Sequence, residues 1–343
     1  MTVRVGINGY GRIGRSFHRA LLDRGESAGV ELVAVNDPFG DSETMAFLLK
    51  HDSVGGTLRN EVKVSNGGFS VDGKEIKKLE ERDPAEIPWG DHGIGVVVES
   101  TGVFTARDAA AGHLQGGAER VIISAPSGDA DLTMCLGVND AAYDPAQHTV
   151  ISNASCTTNC LAPLAKALND RFGIEQGFMT TIHAYTSDQA LQDIAQTSRS
   201  GKADMRRMRA AALSIIPAST GAAKAIGLVL PELDGRLSGT SMRVPVPVGS
   251  ITDLTAVLGE STSADEVNEA FAAASNDASY KGVLSYTDEP LVSADIVGNP
   301  ASCIFSAKDT MVNGTMVKVL GWYDNEWGFS NRLIDLSAFL GER

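Results

Sequence analysis

At 343 residues, with 43% apolar and 21% charged, the chain is long enough for two domains with separate cores, and its composition is globular rather than disordered or fibrous. A formal net charge of −14 argues against a general polyanion binder, since nucleic-acid affinity rests on Lys and Arg neutralising phosphates, but it permits a local basic pocket for one small phosphorylated molecule. Four cysteines are too few for a disulfide framework, the opening MTVRVGINGYGR lacks a signal-peptide pattern, and no run reaches the roughly 18 apolar residues of a membrane span. A soluble, reducing, cytoplasmic setting is expected, with no membrane and no nucleic-acid partner.

The first predicted element is a short β-branched strand, VRVGIN at 3–8, followed by Gly9, Gly11 and Gly14 in a G-x-G-x-x-G and a helix over 15–22. Such glycines permit a tight turn, close approach of a pyrophosphate and close packing of helix on strand, while the helix start supplies unpaired N–H groups. A second apolar strand over 30–35 ends in Asn36 and Asp37, at the distance where a ribose-binding acid is expected. A glycine-rich turn in any parallel-sheet protein is the competing account, and three agreeing features weigh against it. A carboxylate at Asp37 favours NAD over NADP, although Pro38 beside it also suits a simple turn.

Two further buried-type strands, IGVVVES at 94–100 and VIIS at 121–124, flank an Ala-rich helical segment near 105–114. Their polar exits, including Ser100, Thr101 and Ser124, are either walls of the cofactor site or plain strand ends. Past about residue 154 the pattern turns to long β-rich stretches at 177–186, 240–258 and 302–320. These predict a mostly antiparallel or mixed sheet in a second domain. Ser263 with Glu266 reads as a capping box, and 326–340 as an amphipathic helix. The fold class is therefore α/β: a Rossmann-type NAD-binding domain over 1–154, completed by a C-terminal helix over 320–343, and an α+β catalytic domain with a mostly antiparallel or mixed sheet over 155–319.

At the junction, SNASCTTNC places Cys156 at the start of a helix over 157–168, with Pro163 the one dissonant residue. A helix N-terminus stabilises a thiolate. Cys160, one turn on, points into apolar neighbours, and the spacing fits neither a zinc site nor a thioredoxin pair, so no metal is expected. His183, in the β-run TTIHAYT, is the candidate base; taken alone, a strand histidine is more often a core residue.

INGYGRIGR at 7–15, ND at 36–37, KHDSVGG at 50–56, STGVFT at 100–105, ISNASCTTNCLAPLAK at 151–166, TIHAYTSDQ at 181–189, STGAAKAIG at 219–227, MRVPVP at 242–247 and WYDNEWGFSNR at 322–332 lie in family order along nearly the whole chain. Together they resemble phosphorylating glyceraldehyde-3-phosphate dehydrogenase. The resemblance implies a two-step oxidation in which Cys156 attacks the aldehyde of glyceraldehyde 3-phosphate, His183 handles protons, and inorganic phosphate cleaves the thioester. It implies Thr186 and Arg243 on the substrate phosphate, with Asp188 nearby, and Ser155, Thr157, Arg207, Thr220 and Gly221 on the inorganic phosphate. Arg12 and Ile13 match dinucleotide contacts, Asn325 matches the residue that fixes the nicotinamide amide, and a homotetramer is implied. For Ser155 and Thr157, helix capping is the competing role.

Two departures stand out. The stretch between Gln189 and Arg206 is about five residues longer than the usual segment, and it corresponds to a loop that lines a neighbouring subunit's cofactor, so residues 190–205 are expected at a subunit interface. Ala195 falls near where NAD-specific members often carry proline, and Pro38 replaces the residue usual after the ribose acid. NAD is the expected cofactor, with NADP left open. Erythrose-4-phosphate dehydrogenase, a non-phosphorylating aldehyde dehydrogenase, and a redox-sensing or RNA-associated protein of the same fold are the alternatives; both phosphate subsites weigh against the second and the net charge against RNA.

Overall fold

The computed structural model describes residues 2–195 and 204–343, which divide into two units. Unit 1 comprises Met1–Met134, Ala141–Ala154 and Ser330–Arg343; unit 2 comprises Cys135–Asp140 and Ser155–Phe329. Compared with the expected boundaries, 135–140 and 320–329 fall in unit 2. The second difference arises because residues 316–323 form a sheet strand before the helix begins at Trp327.

In unit 1 the central strands are β1 (Val3–Asn8), β2 (Val30–Asn36), β8 (Val96–Glu99), β9 (Arg120–Ile123), β10 (Leu132–Thr133) and β11 (Val150–Ser152), all parallel where paired. β7 (Lys74–Leu79) continues the parallel array beside β2, and β5 (Val62–Ser65) and β6 (Gly68–Val71) add an antiparallel edge. The sheet order is β10-β11-β9-β8-β1-β2-β7-β6-β5, with β3 (His51–Asp52) and β4 (Gly56–Thr57) forming a small separate pair. β1, β8 and β9 are almost wholly buried because strands covered on both faces carry continuous apolar runs. β2 leaves β1 on one side and β8 returns on the other, so the sheet reverses direction at the end of β1. That switch point is where open α/β sheets bind ligands.

The helices of unit 1 are α1 (Arg12–Arg24), α2 (Ser42–Lys50) and two short turns, α3 (Arg107–Ala110) and α4 (Gly112–Gln115), which break the expected 105–114 helix at Ala111. α9 (Trp327–Gly341) closes the chain with Leu333, Ile334, Leu336 and Leu340 buried, and from Ser330 on it belongs to unit 1. Within that unit Asp335 of α9 pairs with Arg24 of α1 at 2.6 Å.

Unit 2 is built on a mixed sheet of β12 (Ile174–Ala184), β13 (Ile216–Ala218), β14 (Leu237–Val244), β15 (Ser250–Leu258), β16 (Leu284–Thr287), β17 (Cys303–Ser306) and β19 (Met316–Tyr323), with β18 (Met311–Asn313) beside β19. β12 runs parallel to β14 and antiparallel to β15. The helices are α5 (Cys156–Phe172), α6 (Ala222–Val229), α7 (Ala264–Ser275) and the short α8 (Ser293–Ile296). The 240–258 run divides into β14 and β15, and α7 carries the expected capping box, with both bonds between Ser263 and Glu266 formed. α5 packs on β12, β15, β17 and β19. Gly321 of β19 makes this packing possible, because a Cβ there would lie 2.7 Å from Cys303 Sγ and 3.0 Å from Cys160 Sγ.

Candidate active site

In unit 1, Gly9 turns the chain after β1 with φ +91°, a conformation that favours glycine, and a Cβ there would lie 2.6 Å from the Thr101 backbone nitrogen. Gly14 lets α1 approach the loop, since its Cβ would meet Gly9 O at 2.5 Å, whereas the side of Gly11 opens on empty space. Gly11 is the N-cap of α1 without a side-chain bond, so the first N–H groups of the helix, near Arg12 and Ile13, suit an anion. Arg12 itself is paired with Asp52. Asp37 takes the Tyr10 N–H on one carboxylate oxygen and the Phe39 N–H on the other, each at 2.9 Å. It is thus both the turn residue and a fixed carboxylate at the loop, so the two readings of this position are not exclusive. Ser124, at the exit of β9, donates its N–H to Glu99 O.

This loop, with its cradle that side chains would fill and its free space beside Gly11, fits the pyrophosphate of a dinucleotide. Beneath it lies a buried polar network that the motif did not announce. Glu99 accepts from Asn8 Nδ2 at 2.5 Å, from His113 Nε2 at 3.0 Å, and from the Thr101 N–H and hydroxyl. Asn36 in turn donates to Asn8. The only sequence sign of it was a glutamate ending an otherwise apolar strand.

In unit 2, Cys156 is the first residue of α5, and Ser155 is its N-cap, the Ser155 hydroxyl accepting the Thr158 N–H at 3.0 Å. Ala154, just before, is held at φ +55°, an unusual conformation for a residue with a Cβ. Cys156 is half-buried, and its Sγ lies 3.4 Å from Nε2 of His183, which is 4% exposed. The strand period of two puts Thr181 and His183 on the same side of β12. There Tyr323 OH joins Thr157 Oγ1 at 2.9 Å and Thr181 Oγ1 at 2.7 Å, with the His183 ring edge-on to the tyrosine. Tyr323 was missed as a site residue because only the fold brings β19 beside β12's partner strand and the start of α5; its motif was quoted without a role.

Arg243 of β14 is the register partner of His183 across the parallel pair. Its Nη1 lies 2.9 Å from His183 Nδ1 and 3.1 Å from Thr186 Oγ1. Thr186 bonds Asp188, which is ion-paired with Arg207, and Arg207 also binds Asp204 at 3.1 Å. The structure thus joins Cys156, His183, Arg243, Thr186, Asp188 and Arg207 in one chain of contacts. Asp188 links a member of the expected substrate-phosphate set to a member of the inorganic-phosphate set. Thr157 spends its hydroxyl on Tyr323 and Ser155 on the cap, so the capping role expected as the competitor is observed for Ser155. Thr220 accepts the Ala222 N–H at 3.2 Å and Gly221 is the N-cap of α6. Asn325 is 4% exposed, its amide oxygen held by the Gly249 N–H and the Ser250 hydroxyl.

The electrostatics differ from the depressed thiol expected at a helix start. Burial pushes the Cys156 thiol up to about 11 against the pull of Arg243 and the Thr157 N–H. Burial, with Arg243 adding to it, brings His183 down to about 3. Both shifts run towards the neutral forms of the two groups. Among the described residues no group of three or more His, Cys, Asp or Glu is placed to hold a metal ion.

A parallel sheet with a glycine phosphate loop, in one chain with a mixed-sheet unit bearing a close Cys–His pair and guanidinium groups, is the architecture of a dinucleotide-dependent dehydrogenase. Residues 3–107 match the family model described as glyceraldehyde 3-phosphate dehydrogenase, NAD binding domain, and residues 155–325 match the C-terminal domain of the same family. The chain is similar to glyceraldehyde-3-phosphate dehydrogenase of Streptomyces coelicolor, 56% identical over all of both chains, and to glyceraldehyde-3-phosphate dehydrogenase 1 of Streptomyces avermitilis, 58% identical over 100% of this chain and 99% of the relative. The Mycolicibacterium smegmatis enzyme of that name is 56% identical over 100% of this chain and 99% of its own. The chain belongs to the glyceraldehyde-3-phosphate dehydrogenase family.

Proposed function

We propose that this protein oxidises D-glyceraldehyde 3-phosphate to 1,3-bisphosphoglycerate with NAD and inorganic phosphate, through a thioester on Cys156. The observation that carries the reading is the 3.4 Å pair of Cys156 Sγ and His183 Nε2 at the first turn of α5, in a chain of this family. As Sγ forms its bond to the aldehyde carbon, His183 Nε2 takes the thiol proton and passes it to the developing oxygen, giving a thiohemiacetal. The backbone N–H groups at the start of α5 stabilise that oxygen's charge. His183 then removes the hydroxyl proton as the carbon is oxidised, leaving the thioester. NAD, when bound, supplies the two-electron acceptor; the residues suited to hold it are Gly9, Gly11, Arg12, Ile13, Gly14, Asp37, Ser124 and Asn325. A phosphate oxygen attacks the thioester carbon and the Cys156 sulfur leaves, regaining its proton.

Arg243 and Thr186 are the proposed ligands of the substrate phosphate, with Asp188 arranging them, and Ser155, Thr157, Arg207, Thr220 and Gly221 those of the attacking ion. Guanidinium forks, hydroxyls and helix-start N–H groups are the donors such oxyanions need. A longer aldose phosphate is not favoured as substrate, given the names of the relatives.

A cytoplasmic homotetramer belongs to the same reading. No helix among the described residues is long and apolar enough to cross a membrane. Leu191, Ile194, Met205, Phe178, Leu213 and Ile215 all expose large apolar side chains in unit 2, which supports burial against another copy. The expected interface at 190–205 lies partly on 196–203, outside the described residues. The test is NADH formation from glyceraldehyde 3-phosphate. Phosphate-dependent turnover with NAD, and much weaker turnover with NADP, is expected; turnover independent of phosphate would overturn the assignment of the second phosphate subsite.

A further inference from the structure

Asn325 sits in a pinned stretch of backbone. β19 ends at Tyr323, and the Asp324 carboxylate takes the N–H groups of Gly298, Glu326 and Trp327 at 2.8, 2.9 and 2.7 Å. The Asn325 Oδ1 is approached by the Gly249 N–H at 3.2 Å and by the Ser250 hydroxyl at 3.1 Å. A backbone N–H can only donate, so the atom facing Gly249 is the amide oxygen and not the nitrogen. Gly249 aims its N–H this way at φ +94°, where a Cβ would lie 2.3 Å from Ser293 O.

Ser250, wholly buried at the start of β15, is the second donor. Its oxygen accepts the Ala184 N–H at 3.0 Å, and its one hydrogen goes to Asn325 Oδ1. Ala184 follows His183 on β12, and its carbonyl lies 2.7 Å from His183 Nδ1. One hydroxyl therefore joins the strand of the base to the side chain of Asn325. Turning the amide over would strand the Gly249 N–H in a dry interior and set the amide nitrogen against it. Nδ2 has no hydrogen-bond partner among the described residues, so its two hydrogens are the donors that a ligand meets.

We propose that Ser250 is a positioning residue for hydride transfer: it locks Asn325 so that only N–H donors face the nicotinamide carboxamide, whose oxygen they hold. The selection is for a ring substituent that presents a carbonyl oxygen. Ser250 moves no proton and touches no reacting atom; it acts through Asn325. The proposal deepens the assignment of Asn325 made above and rests on it.

The test compares affinity for NAD with affinity for ADP-ribose, which lacks the nicotinamide, by calorimetry on the full chain, with kcat measured alongside. The variants are Ser250→Ala, Asn325→Ala and the two combined. Ser250→Ala is expected to lower kcat about tenfold and NAD affinity several-fold, with ADP-ribose affinity and the KM for glyceraldehyde 3-phosphate unchanged. In the Asn325→Ala background the same change should add less than about twofold, because the group that it holds is gone. Ser250→Thr, which keeps the hydroxyl, should stay within about twofold of the wild type. Ser250→Cys, which keeps the size and loses the strong donor, gives the same readings as alanine if the alanine variant does not fold. Wild-type values in Ser250→Ala, equal losses for NAD and ADP-ribose, or full additivity in the double variant overturn the proposal while leaving Asn325 in place. If Asn325→Ala itself leaves kcat and the preference for NAD over ADP-ribose unchanged, the assignment of Asn325 falls and the proposal with it.

Discussion

His113 in unit 1 and His183 in unit 2 are both buried, and the two are treated differently. In unit 1, Trp89 Nε1 donates to His113 Nδ1 at 3.1 Å, so Nε2 carries the proton and donates to Glu99, itself 1% exposed and receiving Asn8 and Thr101 as well. The two shorter contacts agree on one tautomer; the Asn8 amide also lies 3.4 Å from Nε2, but it donates to Glu99 at 2.5 Å. In unit 2, His183 meets a donor and an acceptor at one nitrogen. A network whose demands agree rigidifies its surroundings, here the loop that carries Gly9; one whose demands conflict leaves a contact unsatisfied. A buried histidine is thus read by whether its neighbours agree, and burial by itself does not separate scaffold from catalyst.

The sharpest way to break the comparison is Cys156→Ser. Turnover should fall by at least about 10⁴-fold with the urea midpoint little changed, because the hydroxyl replaces the nucleophile without disturbing the α5 cap. A variant retaining a tenth of the activity would move the chemistry elsewhere. Glu99→Ala should do the reverse. It strands the donors of Asn8, His113 and Thr101 in a dry interior, so unfolding should be easier by about 3 kcal/mol or more, with NAD bound more weakly and kcat per folded molecule nearly kept. Chemical denaturation and NAD titration check both halves, and an unchanged midpoint would mean the network is dispensable.

Acid should act on unit 1 through a different group. Burial pushes the Asp131 carboxyl up, but the Val150 and Thr149 N–H groups and Arg107 outweigh it and hold it at about 2. Because its value in the fold lies below the ordinary 3.8, the stability it contributes is present above that value and is lost as pH falls from there towards about 2. Asp131→Asn should flatten the stability curve across that window, followed by circular dichroism; an unaltered curve would remove Asp131 from the account. The smallest effect is expected from Tyr323→Phe. Loss of one hydroxyl between Thr157 and Thr181 should cost about 1 kcal/mol of stability and lower kcat a few-fold through a looser α5 start. A larger loss of kcat with no loss of stability would make Tyr323 a participant in proton transfer.

What was legible in the sequence was local. Gly9, Gly11 and Gly14 show as a phosphate loop because a strand, a turn and a helix start are contiguous, and Cys156 shows at a helix N-terminus because the cap and the first turn are neighbours in the chain. The Ser263 capping box could be read for the same reason. The paired roles of Asp37 were both visible, yet only the carboxylate's contacts revealed that it fills the turn and faces the loop together.

What was not legible depends on contacts between distant strands. The short strands β10 and β11 and the division of 240–258 into β14 and β15 turn on pairing partners rather than on periodicity. His183 and Arg243 stand 60 residues apart, and nothing in either segment says that they are register partners. The helix-start effect on the thiol is local and was legible, while the burial that opposes it comes from the whole unit.

The sequence by itself determined the fold class, the loop, the place of Cys156 at a helix start and the family, since these rest on residue types at fixed short spacings, which chain geometry enforces. Only the tertiary structure decided that His183 meets a donor and an acceptor at one nitrogen, that Asp188 links Thr186 to Arg207, and how Glu99 underpins the Gly9 loop. Those outcomes rest on contacts between residues well separated in the chain, and a one-residue change of strand register would break those of His183 with Arg243 and of Glu99 with Asn8.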